Sequence, residues 1–460
     1  MTAVADILKN AKHLHFVGIG GSGMFPLVEI LHAEGYEISG SDVNEGSIID
    51  YERKLGIDVS IGHDAKNISG ADALVVTAAL LDGNPELARA EELGIPIIER
   101  AELLGYISEL YDNAYCISGT HGKTTTTSML TSILVVADLD PSAVIGGKLP
   151  LIDGYGRRGS SDSIVIEACE FKDTFLHLSP DYAVILNVDS DHLDYFGSLD
   201  GIKASFRKFA LKASKAVIIN GDDANTLDAV RGIDKKIITF GKSENCDFQI
   251  YNIKNYFRAF YSFCLKNSNG EIGEFRLCAP GIHNIYNAAA AVVCSVLAGV
   301  SCKDIQKGLE TFSGAGRRFE ILGEFDGITI ADDYAHHPAE LKATLEAAQS
   351  MGYNRVIAVF QPFTYSRTKL LLDDFAAVLP IADKVVMTEI MGSREINTYN
   401  IYTKDLSDKI DGSVWFNTFE EVCDYCLNNA KSGDLIITLG CGDIYKAANM
   451  MVKRCSTFKR

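Results

Sequence analysis

No apolar stretch of this 460-residue chain is long enough to cross a bilayer. The longest run of small apolar residues, Ala288 to Val300, is interrupted by Ser295 and falls short of the roughly 20 residues a spanning helix needs, so it reads as a buried helix. There is no excess of positive charge either. Against 43 basic side chains stand 61 acidic ones, a net of −18 that repels nucleic acid and anionic membrane alike. Any polyanionic ligand must therefore be held by a few local groups. The opening residues show no apolar leader, because Asp6, Lys9 and Lys12 interrupt them, and the expected location is the cytoplasm. The 11 cysteines are scattered through predicted strands and helices, which suits a reducing compartment better than a disulfide framework. Cys423 and Cys426 form a lone C-x-x-C on a helical pattern, and without a second pair they do not read as a metal site.

What is present is a globular composition, 47% hydrophobic and 23% charged, over a length that predicts about three domains. The most informative stretch is Gly119-Thr120-His121-Gly122-Lys123-Thr124-Thr125, where an apolar run ends in a glycine turn and a Thr-rich helix begins just after Lys123. Glycines let backbone N–H groups turn inward, and the helix that follows presents its positive end to an anion. Lys123 is placed to meet β- and γ-phosphates, and the Thr124 hydroxyl to join a Mg2+ shell. The full G-x-x-x-x-G-K-[ST] spacing is not met, because Ile117 stands where its first glycine belongs.

A second glycine turn lies nearer the N-terminus. Leu14 to Val17 is an apolar strand, Gly18-Ile-Gly20-Gly21-Ser22-Gly23 a phosphate turn, and the helix after it ends near Gly35. The next strand, Tyr36 to Asp42, finishes in an acid about twenty residues on, where a ribose hydroxyl is usually held. Strands at Asp58 to Ile61 and Ala73 to Ala78 continue the alternation toward a parallel sheet. On these residues alone the turn specifies a nucleotide without choosing which, and NAD stays open.

Beyond the cradle, Ser163 to Glu167 and Ala183 to Leu186 read as strands ending in the polar clusters Glu167-Ala-Cys-Glu170 and Asn187-Val-Asp-Ser-Asp-His192. Ligands collect at such carboxyl ends, so Glu167 and His192 are candidate ligands for a divalent ion on the phosphates. Asp189, Asp191 and Asp194 serve equally well as caps. Cys246 to Ala279 reads as an antiparallel addition to the sheet, and His283-Asn284 opens the Ala-rich helix with polar groups suited to a base. After the joint at Gly316-Arg317-Arg318 comes a further βαβ region with strands at Ile328, Val356 to Phe360, Lys384 to Thr388 and Asp434 to Gly440. Its cluster Asp332-Asp-Tyr334-Ala335-His336-His337-Pro338 ends a strand and suits substrate positioning, with His337 in a capping place before Pro338.

In order, these motifs resemble the Mur ligase family, the ATP-dependent amino-acid ligases of peptidoglycan precursor synthesis, over nearly the whole chain. Gln361-Pro-Phe-Thr-Tyr-Ser-Arg367-Thr and Gly440-Cys-Gly-Asp443 complete the set. The resemblance implies an α/β chain of three domains. Residues 1–108 would be a Rossmann-like domain holding UDP-N-acetylmuramate, 109–316 a P-loop-type ATP domain with added antiparallel strands, and 317–460 a Rossmann-like domain placing L-alanine. It implies UDP diphosphate rather than NAD at Gly18, Gly20, Gly21, Ser22 and Gly23, with Asp42 beside it. Gly119, Thr120, His121, Gly122, Lys123, Thr124 and Thr125 would bind ATP, with His283 and Asn284 at adenine and Arg318 at a phosphate. Thr124, Glu167 and His192 would hold Mg2+, and Tyr334, His336 and Arg367 the amino acid. Lys123, Glu167, His192 and His336 are the expected catalytic set, in a monomer or homodimer. The alternative within the family is a recycling ligase that attaches a preformed tripeptide. Ala335 and Phe363 depart from the commoner glycine and histidine of the alanine-adding members.

Overall fold

The computed structural model describes residues 3–77, 83–393 and 395–457, and among these the strands form three sheets. The first contains β1 (His13–Val17), β2 (Glu37–Asp42), β3 (Asp58–Ile61), β4 (Ala73–Val76) and β5 (Ile97–Glu99) in the order β3-β2-β1-β4-β5. Every pairing in it is parallel. β4 is buried along its whole length, as a strand covered on both faces must be. It was expected to run to Ala78; it ends at Val76, and Ala78 lies outside the described residues.

The second sheet has ten strands: β6 (Asn113–Ser118), β7 (Ser142–Leu149), β8 (Gly154–Arg157), β9 (Ser163–Glu167), β10 (Tyr182–Ile185), β11 (Ala216–Asn220), β12 (Ile237–Gly241), β13 (Phe248–Phe257), β14 (Phe260–Asn267) and β15 (Gly270–Arg276). Its order is β15-β14-β13-β12-β11-β10-β6-β9-β7-β8. β6 therefore lies between β10 and β9, parallel to both, and the chain leaves it in opposite directions on its two sides. That is the switch point at which a doubly wound sheet opens a crevice beyond its strand ends. The anticipated antiparallel addition is the meander β13 to β15.

The third sheet orders β16 (Glu320–Phe325), β17 (Ile328–Asp333), β18 (Val356–Phe360), β19 (Lys384–Thr388), β20 (Val414–Phe416) and β21 (Leu435–Leu439) as β16-β17-β21-β18-β19-β20. Only β16 runs antiparallel to its neighbour. β5, β7, β8, β11, β12, β16 and β20 were not foreseen; of these β5 and β20 are three residues long and β16 is half exposed, so those three carry no buried apolar run.

The chain divides into two compact units, Met1–Tyr251 with Leu265–Gly273 and Tyr286–Thr311, and Asn252–Cys264 with Glu274–Ile285 and Phe312–Arg460. Within the first, one apolar core runs from Leu14 and Phe16 through Leu103 and Ile107 to Phe175, Phe206 and Phe209. A glycine permits the contact between the helix Phe25–Ala33 and β8. A Cβ at Gly156 of β8 would lie 2.8 Å from Pro26, and the rings of Phe25 and Tyr155 meet edge to face at 5.8 Å. Among the described residues no helix is long and apolar enough to cross a membrane.

Candidate active site

The cradle lies where β6 ends and the helix Lys123–Val136 begins. Gly119 has φ +140° and Gly122 φ +86°, and a Cβ at Gly122 would stand 2.3 Å from the Asn287 amide oxygen. No side chain fits there, so the turn requires glycine. Asn187, just past β10, clamps the turn: its Oδ1 accepts from His121 N at 2.8 Å, its Nδ2 donates to His121 O at 3.0 Å, and its carbonyl accepts from Thr120 N at 3.1 Å. Thr120 Oγ1 accepts from Asp189 N at 2.9 Å, and His121 Nε2 lies 3.4 Å from Asp189 Oδ2. Thr125 is buried on the first turn of the helix.

Two carboxylates follow β9. Glu167 Oε1 accepts from the Thr124 hydroxyl at 2.8 Å, and its Oε2 accepts from Gly146 N at 2.6 Å. Glu170, 3% exposed, reaches Lys123 Nζ at 2.9 Å. Burial works against a charged Lys123, but the neighbouring Glu170 outweighs it and holds the ammonium above its ordinary value. His192 has φ +51°, and its ring lies 4.6 Å from that of Phe171, which follows Glu170. Asp189 and Asp191 accept from the next backbone N–H, at Ser190 and His192, so they tie their own loop.

At the first glycine turn, Gly18 N and Ile19 N donate to Ser41 O, and Gly20 N donates to Asp42 Oδ2 at 3.1 Å. Gly21 N turns back on Gly18 O, and Ser22 and Gly23 are exposed before the helix Phe25–Ala33. Sequence reasoning missed Arg100. It directly follows β5, its Nη1 donates to Gly23 O at 3.3 Å, and burial depresses its pKa while the charge of Glu167 acts the other way. A basic residue immediately after a strand was the available signal. Glu86 was missed too. It is fully buried beside β2, and although burial opposes ionisation, the His15 ring 3.9 Å away and bonds from Ser41 and Asn67 bring it down to about 2. Behind the turn lie Glu29 and Glu52. Burial pushes each up to about 8, and neither Glu52 oxygen has a hydrogen-bond partner among the described residues.

In the second unit, the ends of β17, β21 and β18 are adjacent, and the positioning residues stand on them. Arg317 Nε donates to Asp332 at 2.8 Å and its Nη2 to Gly440 O at 2.6 Å, with Tyr334 stacked 5.0 Å from its guanidinium and 5.1 Å from that of Arg318. Burial raises Asp333 to about 6, and its carboxyl accepts from Phe319 N and Ala335 N. His336 Nδ1 lies 3.1 Å from Tyr334 O and 3.2 Å from Glu340 Oε2. His337 caps the helix Pro338–Ser350 through Ala339 N. Burial pushes Cys441 up to about 12, against the nearby charges of Arg367 and Arg317. Asn284 is buried with Nδ2 on Pro280 O at 2.7 Å, and His283 is exposed beside Gly281.

Three family descriptions match successive parts of the chain: Mur ligase family, catalytic domain, over residues 13–112; Mur ligase middle domain over 117–295; and Mur ligase, glutamate ligase domain, over 317–442. A UDP-N-acetylmuramate–L-alanine ligase of Caldanaerobacter subterraneus subsp. tengcongensis is 44% identical over 97% of this chain and 98% of its own. The crystal structure of the UDP-N-acetylmuramate–alanine ligase of Thermotoga maritima superposes with TM-score 0.83 at 28% identity, covering 97% of this chain and all of that one. A murein peptide ligase from Psychrobacter arcticus shares the fold, with TM-score 0.75 at 23% identity over 96% and 98% of the two chains. With near-complete coverage by a relative at that identity, and all three parts matched in order, the chain belongs to the Mur ligase family.

Proposed function

We propose that this chain joins L-alanine to the lactyl carboxylate of UDP-N-acetylmuramate with consumption of ATP, in peptidoglycan precursor synthesis. The observation that carries this is the Lys123 cradle with Thr124 and Glu167 bonded at 2.8 Å beside it, in a chain 44% identical to ligases named for that reaction. Residues 1–108 hold the sugar nucleotide, 109–316 ATP and 317–460 the amino acid. His283 and Asn284 serve adenine and Arg318 a phosphate. The enzyme works in the cytoplasm as a monomer or homodimer.

The donor set beside the cradle suits magnesium, since a hydroxyl and a carboxylate are hard oxygen ligands, with the His192 ring beside the neighbouring segment. When bound, the ion supplies charge neutralisation at the phosphates. The protein's own groups do the rest. Lys123 and the N–H groups of Gly122 to Thr124 hold the triphosphate and stabilise charge as the lactyl oxygen bonds to the γ-phosphorus and ADP leaves. Ser22 and Gly23, at the exposed end of the first glycine turn, and the Arg100 guanidinium hold the UDP diphosphate. In the second step the alanine nitrogen bonds to the acyl carbon and phosphate departs, which requires a neutral amine in line. His336 Nδ1–H is engaged by Tyr334 O, which leaves Nε2 as the acceptor for an amine proton. Arg367 pairs with the α-carboxylate through its planar fork.

Phosphate release from ATP, UDP-N-acetylmuramate and single amino acids tests the reading. L-alanine is expected to be best, glycine and L-serine weak, and D-alanine poor. A preformed tripeptide that outcompetes L-alanine would favour the recycling ligase instead.

A further inference from the structure

Lys123 is fully engaged by groups of the protein itself. An ammonium has three N–H donors. Here they meet Gly119 O at 2.6 Å, Thr120 O at 3.1 Å and the Glu170 carboxylate, whose Oε1 and Oε2 lie 3.1 and 2.9 Å from Nζ. A phosphoryl oxygen reaches this ammonium only by displacing one of the three. Two of them are main-chain carbonyls in a turn that cannot relax freely. A Cβ at Gly119 would already lie 3.0 Å from Leu186, and Thr120 N is bonded to Asn187 O at 3.1 Å. Among the described residues the carboxylate is the only partner on a side chain, so it is the one that gives way.

We propose that Glu170 is a positioning residue that stands in for phosphate on Lys123 and is exchanged for a phosphoryl oxygen when the triphosphate binds. The proposal rests on the reading of the cradle as the ATP site and adds to it a group that none of the cradle motifs contains.

The surroundings of Glu170 are built to hold it there. It is 3% exposed, and no other donor among the described residues reaches its Oε2. It opens the tight turn Phe171–His177, in which Lys172 and Asp173 take φ of +54° and +60°, two consecutive non-glycine residues in the left-handed region. Such backbone persists only where its surroundings over-determine it. The ties are present: Asp173 N to Glu170 O at 2.9 Å, Phe175 N to Cys169 O at 2.9 Å, Thr174 Oγ1 to Cys169 O at 2.8 Å, and Tyr195 OH to Asp173 Oδ2 at 3.0 Å. A carboxylate so anchored stays near the site after exchange, beside the anion that replaced it. Like charges repel, so Glu170 orders the cradle through Lys123 and at the same time weakens nucleotide binding.

That double role gives a sign that structural damage does not. Glu170→Gln keeps the shape and removes the charge, so calorimetric affinity for a non-hydrolysable ATP analogue with magnesium should rise about tenfold. KM for ATP should fall to match. The melting temperature without nucleotide should drop, because Lys123 loses its partner, and the rise on adding the analogue should be larger than in the parent. Glu170→Asp, which keeps the charge, should restore the parent affinity. Titration with UDP-N-acetylmuramate, whose site is the other glycine turn, checks that the variant is folded. If the glutamine variant does not fold, Glu170→Ala takes its place with the same expectation. Analogue affinity unchanged or weaker in a folded neutral variant overturns the proposal. A Lys123→Ala enzyme that binds the analogue as the parent does would instead overturn the reading of the cradle.

Discussion

The first compact unit contains two turns built to one plan, strand, glycines, helix, and they differ in what surrounds the glycines. At Gly119 to Lys123 the cation lies inside the turn and the carboxylates beside it are bonded, Glu170 to Lys123 and Glu167 to Thr124. At Gly18 to Gly23 there is no cation in the turn. Arg100 reaches it from the end of β5, and the acids behind it, Glu29 and Glu52, are buried at pKa values near 8 and carry little charge at neutral pH. The first arrangement suits a phosphoryl group on which charge develops during reaction. The second suits a diphosphate that is only held. Glycines and a helix end provide for an anion in both, and the charges around them decide whether it reacts.

The largest effect that would break this contrast is expected at Lys123. Lys123→Ala should lower kcat about a thousandfold, ~4 kcal/mol of transition-state stabilisation, while calorimetry shows UDP-N-acetylmuramate bound as before. More than about a tenth of parental kcat would remove the distinction between the two turns. Arg100→Ala should do the reverse. KM for the sugar nucleotide should rise about 10- to 100-fold, the scale of one charge-assisted bond, and KM for ATP should stay put. A change in the ATP constant alone would move Arg100 to the other site.

Glu167→Gln sharpens the contrast from the metal side. The magnesium concentration for half-maximal rate should rise about tenfold, with a smaller rise for His192→Ala, which removes no charge. Flat magnesium titrations for both would make these residues caps of their strand ends. The smallest effect belongs to Glu52. Its value near 8 in the folded protein stands above the ordinary 4.5, so the stability tied to its neutral form is complete below about pH 4.5 and is lost as pH rises through about 8. Glu52→Gln should match the parent in thermal unfolding at pH 4 and exceed it at pH 9 by about 1 kcal/mol. Equal stability at both values would mean that Glu52 is ionised behind the turn.

The elements that read well in sequence carry their instructions locally. The buried runs of β4, β18 and β21 announce parallel strands, and Gly119, Gly122 and Lys123 announce a turn that backbone sterics require. Pro338 after His337 marks a helix start because proline has no N–H to lose there. β5, β16 and β20 were not legible, since a short or half-exposed strand takes its stability from its neighbours rather than its own pattern. The same holds for the site. Lys123 and Glu167 stood in readable motifs, whereas Arg100 comes to Gly23 from 77 positions away along the chain.

By itself, then, the sequence of this protein determined the strand, turn and helix units, the anion-binding turns and the chemistry available at each, because spacing and backbone freedom are properties of neighbouring residues. Only the tertiary structure decided which charge meets which. It placed Glu170 on Lys123, Arg100 on the first glycine turn, and Cys441 close to both Arg367 and Arg317. Those pairings depend on strand order and on burial, which sets how far a charge is felt, and neither quantity is written in any one segment of the chain.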